Sequence, residues 1–466
     1  MTVAEATPEL DFETRDRADR AFFGHPKGLA YLSAVEWCER FSYYSMQNLL
    51  VLYMVNYLLP ERFGQVIGLG WLQQVRYGGA EGQPLASAIF GDYTSLVYLT
   101  PIIGGLLADR WLGRRATLIA GGIVMAIGHF LMAFEGSFIF ALLTLIVGVG
   151  LFKGNIASQV GELYKDGDLR RAMAFQIFYI AIQMSVIVAP FVTGTLGEKV
   201  GWHYGFGTAG IVMVLGVVTY LAAGPYLPPD NRPVKNVSTP RDKLTRNDWM
   251  RIAAVLVLVP IMAIALLTNQ EIFNAYLVWA DEQFQLTFFD YRIPTTWMTA
   301  IDAALSFSML LAVVAFWKWY SDRKGTEPDE LGKMVIGSVF TVIGGLCLVI
   351  AAATQGDAKI GLFWPVMFHL FNSIGFAHIL PVSLALFTRL APRQINATVV
   401  GIYYLAFFLA NQIIGHVGGW YSTWDTVSFW LFHVATSAVG LVAFLAFKLL
   451  LAKRLMGEAT ASAPAA

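Results

Sequence analysis

Apolar segments long enough to cross a bilayer recur along the whole chain, and this recurrence constrains the fold more than any other feature. A helix needs about 20 apolar residues to cross the hydrocarbon core. Of the 466 residues, 56% are hydrophobic and only 14% are charged, whereas soluble domains have about 25% charged residues. The sequence therefore predicts an all-α integral membrane protein with twelve transmembrane helices, near residues 28–58, 85–108, 115–134, 138–162, 171–197, 203–223, 250–280, 297–320, 333–353, 361–388, 397–421 and 428–450.

The order of these segments predicts two bundles of six helices. A polar connection at 224–248, rich in Pro, Asn, Lys and Arg, separates the segments of 28–223 from those of 249–452, and polar tails occupy 1–27 and 453–466. Cytoplasmic loops carry an excess of Lys and Arg. With both termini and the linker in the cytoplasm, 25 of the 32 basic residues lie in cytoplasmic segments and five in external loops. We therefore expect a multi-pass protein of the cell membrane, with the lipid bilayer as its surroundings and both termini cytoplasmic.

Composition and motifs also exclude several classes of function. Lys and Arg together number 32, as do Asp and Glu, so no net charge favours binding to nucleic acid. The two cysteines, Cys38 and Cys347, lie in apolar segments, which argues against a disulfide framework. The sequence has no phosphate-binding glycine loop, no His/Cys cluster with metal-ligand spacing and no nucleophile motif. We expect no enzyme activity, no metal and no cofactor other than a proton as coupling ion.

Charged residues inside the predicted spans are the main candidates for function. Each costs roughly 2.5–3.5 kcal/mol to insert unless it has a partner or a water-filled cavity. Five are acidic and two are basic, so the surplus carboxylates must be protonated, hydrated or matched by a cargo cation. Carboxylates that gain and lose protons in a membrane are what a proton-driven carrier requires. Asp92 lies near the start of its span; the residues predicted to couple proton movement are Glu36, Glu39, Arg40, Lys153, Glu271 and Asp302.

The first span carries the densest pattern of polar residues. Residues at the 3.6-residue period share one face of a helix. That face combines two carboxylates, a guanidinium, two phenols and an amide. The alternative is an arginine neutralised locally so that the helix can insert, but one carboxylate would be enough for that. The face consists of Glu36, Glu39, Arg40, Tyr43, Tyr44 and Gln47.

Further polar residues lie deep in other spans. Lys153 is far from either end of the fourth span, so it needs a carboxylate partner or an anionic ligand; snorkelling to the surface is the alternative. Glu271 is expected near a water-exposed mouth, and Asp302 follows Trp297 by about one and a half turns. Three histidines on apolar helices are interpreted as core residues with satisfied hydrogen bonds rather than as proton relays: His129, His369 and His378.

The loop between the second and third spans has a separate role. It begins with a glycine pair at 104–105, which allows helices to approach closely. Asp109, Arg110 and Arg114 follow it and can join helix ends at the cytoplasmic face. We interpret these three residues as a conformational latch rather than a ligand site.

Several stretches of the chain resemble the proton-dependent oligopeptide transporter family, a branch of the major facilitator superfamily. Residues 36–44 match the family pattern E-x-x-E-R-F-x-Y-Y at every position, and the loop at 104–115 resembles the superfamily signature. The resemblance covers nearly the whole chain and continues at residues 98–101, 150–153, 161–164, 178–179, 297 and 388–392.

The resemblance implies two six-helix bundles around a central cavity and a function for particular side chains. Glu36, Glu39 and Arg40 stand where the family couples proton movement to transport. Lys153 stands where the family engages the peptide carboxylate. The candidate substrate-binding residues are Arg40, Tyr43, Tyr44, Gln47, Tyr98, Lys153, Gln183, Asn274, Asp302, Phe376, Leu380 and Tyr403.

The chain departs from the family at the site for the peptide amino group. In the tenth span the family's Glu is replaced by Phe376 and its Ser by Leu380, and Gln183 replaces an Asn of the fifth span. Asp302 stands where the family has an Asn that lines the pocket. We hypothesise that Asp302 supplies the missing carboxylate, either by pairing with Lys153 or by binding a cargo amine.

The leading interpretation is a monomeric symporter that moves small peptides or peptide-like compounds with protons by alternating access. One alternative keeps the fold and changes the cargo to a siderophore, a cell-wall fragment or a modified amino acid, which could be exported. A second alternative is a membrane receptor that no longer transports. The intact pattern at residues 36–44 argues against this receptor.

Overall fold

Long helices form most of the chain, as the apolar segments predict. The computed structural model describes residues 19–165, 168–228, 244–356, 358–392 and 396–452. The predicted tails, the middle of the 224–248 connection and four residues of the second bundle (357 and 393–395) therefore lie wholly or partly outside the described residues. The helices are α1 (Lys27–Tyr53), α2 (Leu69–Tyr77), α3 (Gly82–Leu107), α4 (Arg114–Leu131), α5 (Phe138–Glu162), α6 (Arg170–Ala189), α7 (Trp202–Ala222), α8 (Arg246–Glu271), α9 (Ala275–Gln283), α10 (Trp297–Lys324), α11 (Glu330–Ala353), α12 (Phe363–Leu390), α13 (Asn396–Val417) and α14 (Thr426–Phe447).

The described residues include twelve helices of 18 to 28 residues, and each begins within a few residues of a predicted span. The predicted all-α membrane fold is confirmed. Within the described part of the chain, nine helical stretches are long and apolar enough to cross a membrane by length and composition. The other three long helices are more polar. α1 carries three charged residues in its middle, α4 begins with two arginines, and α3 is rich in small and hydroxylated residues.

Short helical turns extend several of the long helices, and one hairpin connects two of them. α2 lies in the loop between the first two spans, and the hairpin lies between α9 and α10; the sequence patterns predicted neither. The two strands of the hairpin, β1 (Thr287–Phe288) and β2 (Tyr291–Arg292), are antiparallel. The short turns are Met54–Leu58, Leu59–Glu61, Phe63–Gln65, Ala108–Leu112, Glu135–Ser137, Pro190–Gly194, Thr195–Lys199, Gly224–Tyr226, Gly418–Ser422 and Lys448–Ala452.

The seventh span is interrupted, although the sequence predicted a continuous helix at 250–280. α8 ends at Glu271 and α9 begins at Ala275. The backbone N–H of Ala275 donates to Glu271 Oε1 over 3.1 Å. The carboxylate therefore satisfies a helix-start donor that the break leaves without a backbone partner.

The helices pack as two groups that meet along two lines of contact. In the first group α1 packs against α6 and α7, and α5 packs against α3 and α4. In the second group α8 packs against α13 and α14, while α12 packs against α10 and α11. The groups meet where α3 packs on α13 and where α6 packs on α10.

The contact between α3 and α13 depends on two glycines that face each other. A methyl group on Gly91 would lie 2.8 Å from the backbone N of Gly415 and 2.7 Å from the carbonyl oxygen of Asn411. Backbone atoms cannot move aside as a flexible side chain can. Small residues at helix crossings permit this close approach, so the glycines set the distance between the two groups.

Candidate functional site

The polar face of α1 forms a compact cluster of charge. Arg40 Nε lies 2.9 Å from Glu36 Oε1 and 2.6 Å from Glu39 Oε2. The three side chains are 5%, 4% and 0% exposed, respectively, so water does little to screen their interaction. One guanidinium faces two carboxylates. The cluster can accept a proton on one carboxylate while Arg40 keeps the other as its partner.

Lys153 of α5 lies among aromatic rings from three other helices. Its Nζ is 4.5 Å from the centre of the Tyr98 ring, 5.4 Å from that of Tyr404 and 5.7 Å from that of Tyr43. An ammonium over an aromatic face is attracted by the ring quadrupole. Within the described residues Lys153 makes no ion pair, so the predicted carboxylate partner is absent from this conformation. The other predicted partner, an anionic ligand, is compatible with the site.

Among the predicted tyrosines, Tyr43 lies between Arg40 and Lys153. The centre of the Tyr43 ring is 5.5 Å from Arg40 Cζ and 5.1 Å from the centre of the Tyr44 ring. Gln47 lies further along the same face of α1 and is 3% exposed. The structure therefore brings together the candidate residues of α1, α3 and α5.

The candidates of the second group are more dispersed. Tyr403 is 4% exposed, and its hydroxyl lies 3.1 Å from Ser383 Oγ. Leu380 is partly buried and packs on the core. Gln183 and Phe376 are also partly buried. No described contact joins any of these four candidates to Lys153 or Arg40.

Asp302 has a partner that the sequence analysis did not predict. Its Oδ1 lies 2.8 Å from Nδ1 of His369, and Nε2 of that histidine lies 2.7 Å from the hydroxyl of Tyr276. The hypothesised pair of Asp302 with Lys153 is therefore not formed in this structure. The reason is that α10 packs against α12, which places Asp302 opposite His369.

Glu271 does not lie where the sequence predicts, and Asn274 has partners that the sequence did not predict. Glu271 is fully buried rather than near a water-exposed mouth, and His433 Nε2 lies 3.8 Å from its Oε2. Asn274 is also fully buried: Ser87 Oγ donates to its Oδ1 over 2.9 Å, and its Nδ2 donates to the Ile414 carbonyl over 3.1 Å. Asn274 thus joins the α8–α9 break to α3 and α13 and does not face Lys153.

Two histidines and Asp92 are further polar residues of the predicted spans. His378 has both ring nitrogens bonded, as expected of a core residue. His129 does not fit this expectation, because neither ring nitrogen has a partner within the described part of the chain. Asp92 accepts from Arg76 of α2 over 2.9 Å and from Gln412 of α13 over 2.9 Å. It therefore joins the two helix groups.

The predicted latch is partly assembled. Arg114 lies 3.6 Å from Asp109 and also pairs with Glu162 at the end of α5. Arg110 is exposed. The ion pairs of Arg114 connect the loop between α3 and α4 to α5, which is the arrangement that a latch requires.

Sequence reasoning missed several residues that the structure places at or near the site. Tyr404 lies beside Lys153, although its neighbour Tyr403 was the predicted pocket residue. Tyr276 and His369 join Asp302. A buried histidine on an apolar helix was the available signal for His369, but it did not identify the partner.

Comparisons with known proteins match most of the chain. The model of the Major Facilitator Superfamily matches residues 41–415. A protein of Yersinia enterocolitica named peptide transporter YePEPT is 29% identical over 88% of this chain and 91% of its own length. A di-/tripeptide transporter of Lactococcus lactis subsp. cremoris is 26% identical over 84% of this chain and 88% of its own.

Solved structures show the same fold. A crystal structure of a peptide transporter POT in complex with sulfate has a TM-score of 0.81 and 24% identity, and it covers 96% of this chain and 99% of its own. A POT family transporter in complex with 5-aminolevulinic acid has a TM-score of 0.78 and 21% identity, with 92% and 97% covered.

Proposed function

Since the chain belongs to the Major Facilitator Superfamily, we propose that it is a member of the proton-dependent oligopeptide transporter family within it. This multi-pass membrane transporter would be a proton-coupled symporter of small peptides or peptide-like compounds. It would act as a monomer in the cell membrane with both termini in the cytoplasm. The coupling ion would be the proton, and no other cofactor is required. Alternating access, in which the two helix groups rock about a central site, would move the cargo.

The observation that carries the proposal is the position of Arg40 between two buried carboxylates on the helix that also faces the tyrosines around Lys153. Protonation of Glu36 or Glu39 removes one negative charge from the guanidinium. Arg40 is then attracted less strongly by the cluster and can bind an anionic group of the cargo. Because the charges lie in a buried setting, each such change is worth far more than it would be in water.

Lys153 supplies the second cation of this anion-binding region. Its Nζ lies among tyrosine rings and forms no salt bridge with any carboxylate of the described residues, so it is available to a cargo carboxylate. Protons and cargo are then coupled through a shared set of charges, since each changes the free energy of binding the other. Relatives named as peptide transporters support a cargo with a free carboxylate.

A specialised peptide-like cargo is the second candidate. It is favoured by Phe376 and Leu380, which make the wall of α12 apolar where the family has polar residues. A siderophore, a cell-wall fragment or a modified amino acid would suit such a wall better than a simple dipeptide does, and such a cargo could be exported.

Proton movement in proteoliposomes tests the proposal. Purified protein is reconstituted with a pH-sensitive dye inside, and di- and tripeptides are added outside, followed by a metabolite extract. Acidification with Ala-Ala supports peptide symport, and acidification with the extract alone supports the specialised cargo. The Glu39→Gln variant is the matched control, because it removes a proton acceptor and retains the side-chain volume. Silence with every addition would favour the receptor alternative and contradict the proposal.

A further inference from the structure

A cleft of about 660 Å³ opens between α10, α11 and α12 of the second group. It lies on the side of the membrane that is predicted to be cytoplasmic. Along α12 it is lined by residues at intervals of four between Ala377 and Arg389, and these share one face of the helix. The candidate cargo residues Phe376 and Leu380 lie about 100° further round α12. The cleft is therefore separate from the proposed cargo site.

The lining of the cleft changes from apolar to charged toward the cytoplasmic face. Both α10 and α12 run in that direction in the predicted topology. On α10, Val313 and Val314 line the deeper part, and Lys318 follows about one turn later. On α12, Pro381 lies in the deeper part and Arg389 lies near the end of the helix. An apolar inner part below a charged rim matches a phospholipid, whose acyl chains adjoin a phosphate.

We propose that this cleft binds one anionic phospholipid of the cytoplasmic leaflet, with an acyl chain along the apolar wall and the phosphate beside Lys318. A lipid bound there would join the cytoplasmic half of α10 to α12. The inference goes beyond the proposed function, because it concerns neither the cargo nor the proton. A failure of peptide symport would leave it standing.

The charges at the rim of the cleft leave one cation unmatched. Three carboxylates at the rim each pair with a basic residue. The pairs are Lys333 with Glu327 over 3.0 Å, Arg389 with Glu330 over 2.9 Å, and Lys448 with Asp329. Lys318 is exposed and makes no ion pair among the described residues. With the three pairs neutral, Lys318 leaves a net positive charge at the rim, which matches the negative charge of an anionic lipid headgroup.

The inner part of the cleft is electrically neutral, although it contains a histidine. His378 Nδ1–H donates to the Ile374 carbonyl over 2.8 Å, and His378 Nε2 accepts from Trp317 Nε1–H over 3.0 Å. A carbonyl can only accept and an indole N–H can only donate, so these two bonds select the neutral imidazole. A neutral, largely apolar wall suits an acyl chain better than it suits a soluble anion.

The cytoplasmic end of α10 has the side chains that are typical of a membrane interface. The rings of Phe316, Trp317, Trp319 and Tyr320 contact one another, with centres 5.1 to 6.1 Å apart. Tryptophan and tyrosine concentrate at the level of the lipid headgroups. Lys318 lies within this aromatic segment. We therefore expect its ammonium to lie at the depth of the lipid phosphates.

Native mass spectrometry of the purified full chain tests the inference. Dioleoyl phosphatidylglycerol is compared with dioleoyl phosphatidylcholine, which has the same acyl chains and no net charge. One basic residue near the headgroups favours an anionic lipid about fivefold. We expect each chain to bind one phosphatidylglycerol about fivefold more tightly than phosphatidylcholine. Glycerol 3-phosphate, which has the phosphate without acyl chains, should not displace the lipid.

Two substitutions act on different parts of the cleft. Lys318→Gln removes the unmatched charge and should abolish the preference for phosphatidylglycerol. Ala385→Phe fills the apolar wall and should lower the binding of both lipids. Both residues are exposed, so neither change disturbs the core. Lys324→Gln is the matched control, because Lys324 ends the same helix and is not among the residues that line the cleft. This control should bind phosphatidylglycerol as the parent does.

Four outcomes would overturn the inference. Retention of neither lipid, or equal binding of the two, would show that the cleft does not recognise an anionic lipid. Equal losses in Lys318→Gln and Lys324→Gln would mean that the basic end of α10 attracts anionic lipids in general. Displacement by glycerol 3-phosphate would identify the ligand as a free phosphate compound. If Ala385→Phe fails to fold, Lys318→Gln and its control still decide between these outcomes.

Discussion

At the scale of single residues, the site depends on how Lys153 is held between aromatic rings. Its Nζ is nearer to the ring of Tyr98, at 4.5 Å, than to those of Tyr43 and Tyr404. The attraction belongs to the ring and not to the hydroxyl. A tyrosine cage makes no salt bridge with Lys153, so its Nζ stays available to a carboxylate of the cargo.

Substitutions at Tyr98 test this account of Lys153. Tyr98→Phe keeps the ring and should bind Ala-Ala about as well as the parent does. Tyr98→Leu removes the ring and should weaken binding about two- to fivefold, corresponding to about 0.5–1 kcal/mol for a cation–π contact. Calorimetry at pH 7 measures both. Equal losses in the two variants would show that the hydroxyl, and not the ring, determines binding.

Arg40 provides a second prediction, because its contacts depend on geometry as well as charge. It reaches Glu36 and Glu39 over 2.9 and 2.6 Å. Lysine is a point charge on a flexible stem and has no atom equivalent to Nε, which faces both carboxylates. Arg40→Lys is expected to lower proton-driven uptake about tenfold or more while the protein stays folded. Arg323→Lys, at the exposed end of α10, is the control. Uptake that is unchanged in Arg40→Lys would contradict the coupling assigned to the cluster.

How well the sequence predicts the site depends on how far apart the contacting residues are along the chain. Glu36, Glu39 and Arg40 meet through the helix period alone, so local spacing was sufficient to bring them together. The contact between Asp302 and His369 joins residues 67 positions apart. It depends on how α10 packs against α12, and a single sequence carries no signal for that distance.

At the scale of elements, hydropathy located the helices but not their interruptions. Helix boundaries fall within a few residues of the predicted spans. A run of about 20 apolar residues is long enough to cross the membrane, and a helix satisfies its backbone hydrogen bonds there. The break in the seventh span was missed. It is stabilised by the Glu271 carboxylate at Ala275 N and by the bonds of Asn274 to two other helices. These are tertiary contacts, and no proline or glycine marks the break.

The crossing of α3 and α13 yields a prediction at this scale. In Gly91→Ala the added methyl group meets backbone atoms of Asn411 and Gly415 at 2.7 and 2.8 Å, so the two helices must separate. Overpacking of this kind costs about 1–3 kcal/mol. We expect a lower thermal unfolding temperature in detergent together with slower uptake.

Gly105→Ala is the matched control for this crossing. Gly105 lies on the same helix, and a methyl group there would have no atom within 4 Å. Alanine is favoured over glycine inside a helix by about 0.5–1 kcal/mol, so the control should be neutral or slightly more stable. Equal effects of the two substitutions would mean that any added methyl group on α3 lowers stability and uptake, whether or not it lies at the crossing with α13.

At the scale of the whole molecule, the polar bonds between the helix groups that the described residues make lie mainly toward one face of the membrane. On the side predicted to be extracellular, Asn56 donates to Asp281 over 2.9 Å and Trp297 Nε1 donates to Thr195 Oγ1 over 3.0 Å. Both bonds join the two groups. On the opposite side, ion pairs such as that of Arg389 with Glu330 join helices of one group. This asymmetry favours a conformation closed to the outside, as alternating access requires of one of its states.

The carboxylate of Glu198 makes three hydrogen bonds between the two helix groups. It accepts from Thr295 N over 2.7 Å, from Thr296 N over 2.9 Å and from Thr296 Oγ1 over 2.8 Å. These donors lie at the start of α10, where backbone N–H groups have no partner within the helix and where negative charge is favourable. A residue of the first group therefore caps a helix of the second, and we expect this cap to break when the outer side opens.

Removal of this cap should shift the balance between the two states of the transporter. Hydrogen bonds to a charged group contribute about 1.5–3 kcal/mol, so Glu198→Ala is expected to raise the ratio of outward-open to closed molecules about tenfold or more. Spin labels at Val200 and Phe289, both exposed and in different groups, report the separation. Double electron–electron resonance should measure a longer distance between the two labels in Glu198→Ala than in the parent. Glu61→Ala, which removes an exposed carboxylate on the same side, should keep the parent distance. An unchanged distance in Glu198→Ala would mean that α3 and α13, and not this cap, hold the outer side closed.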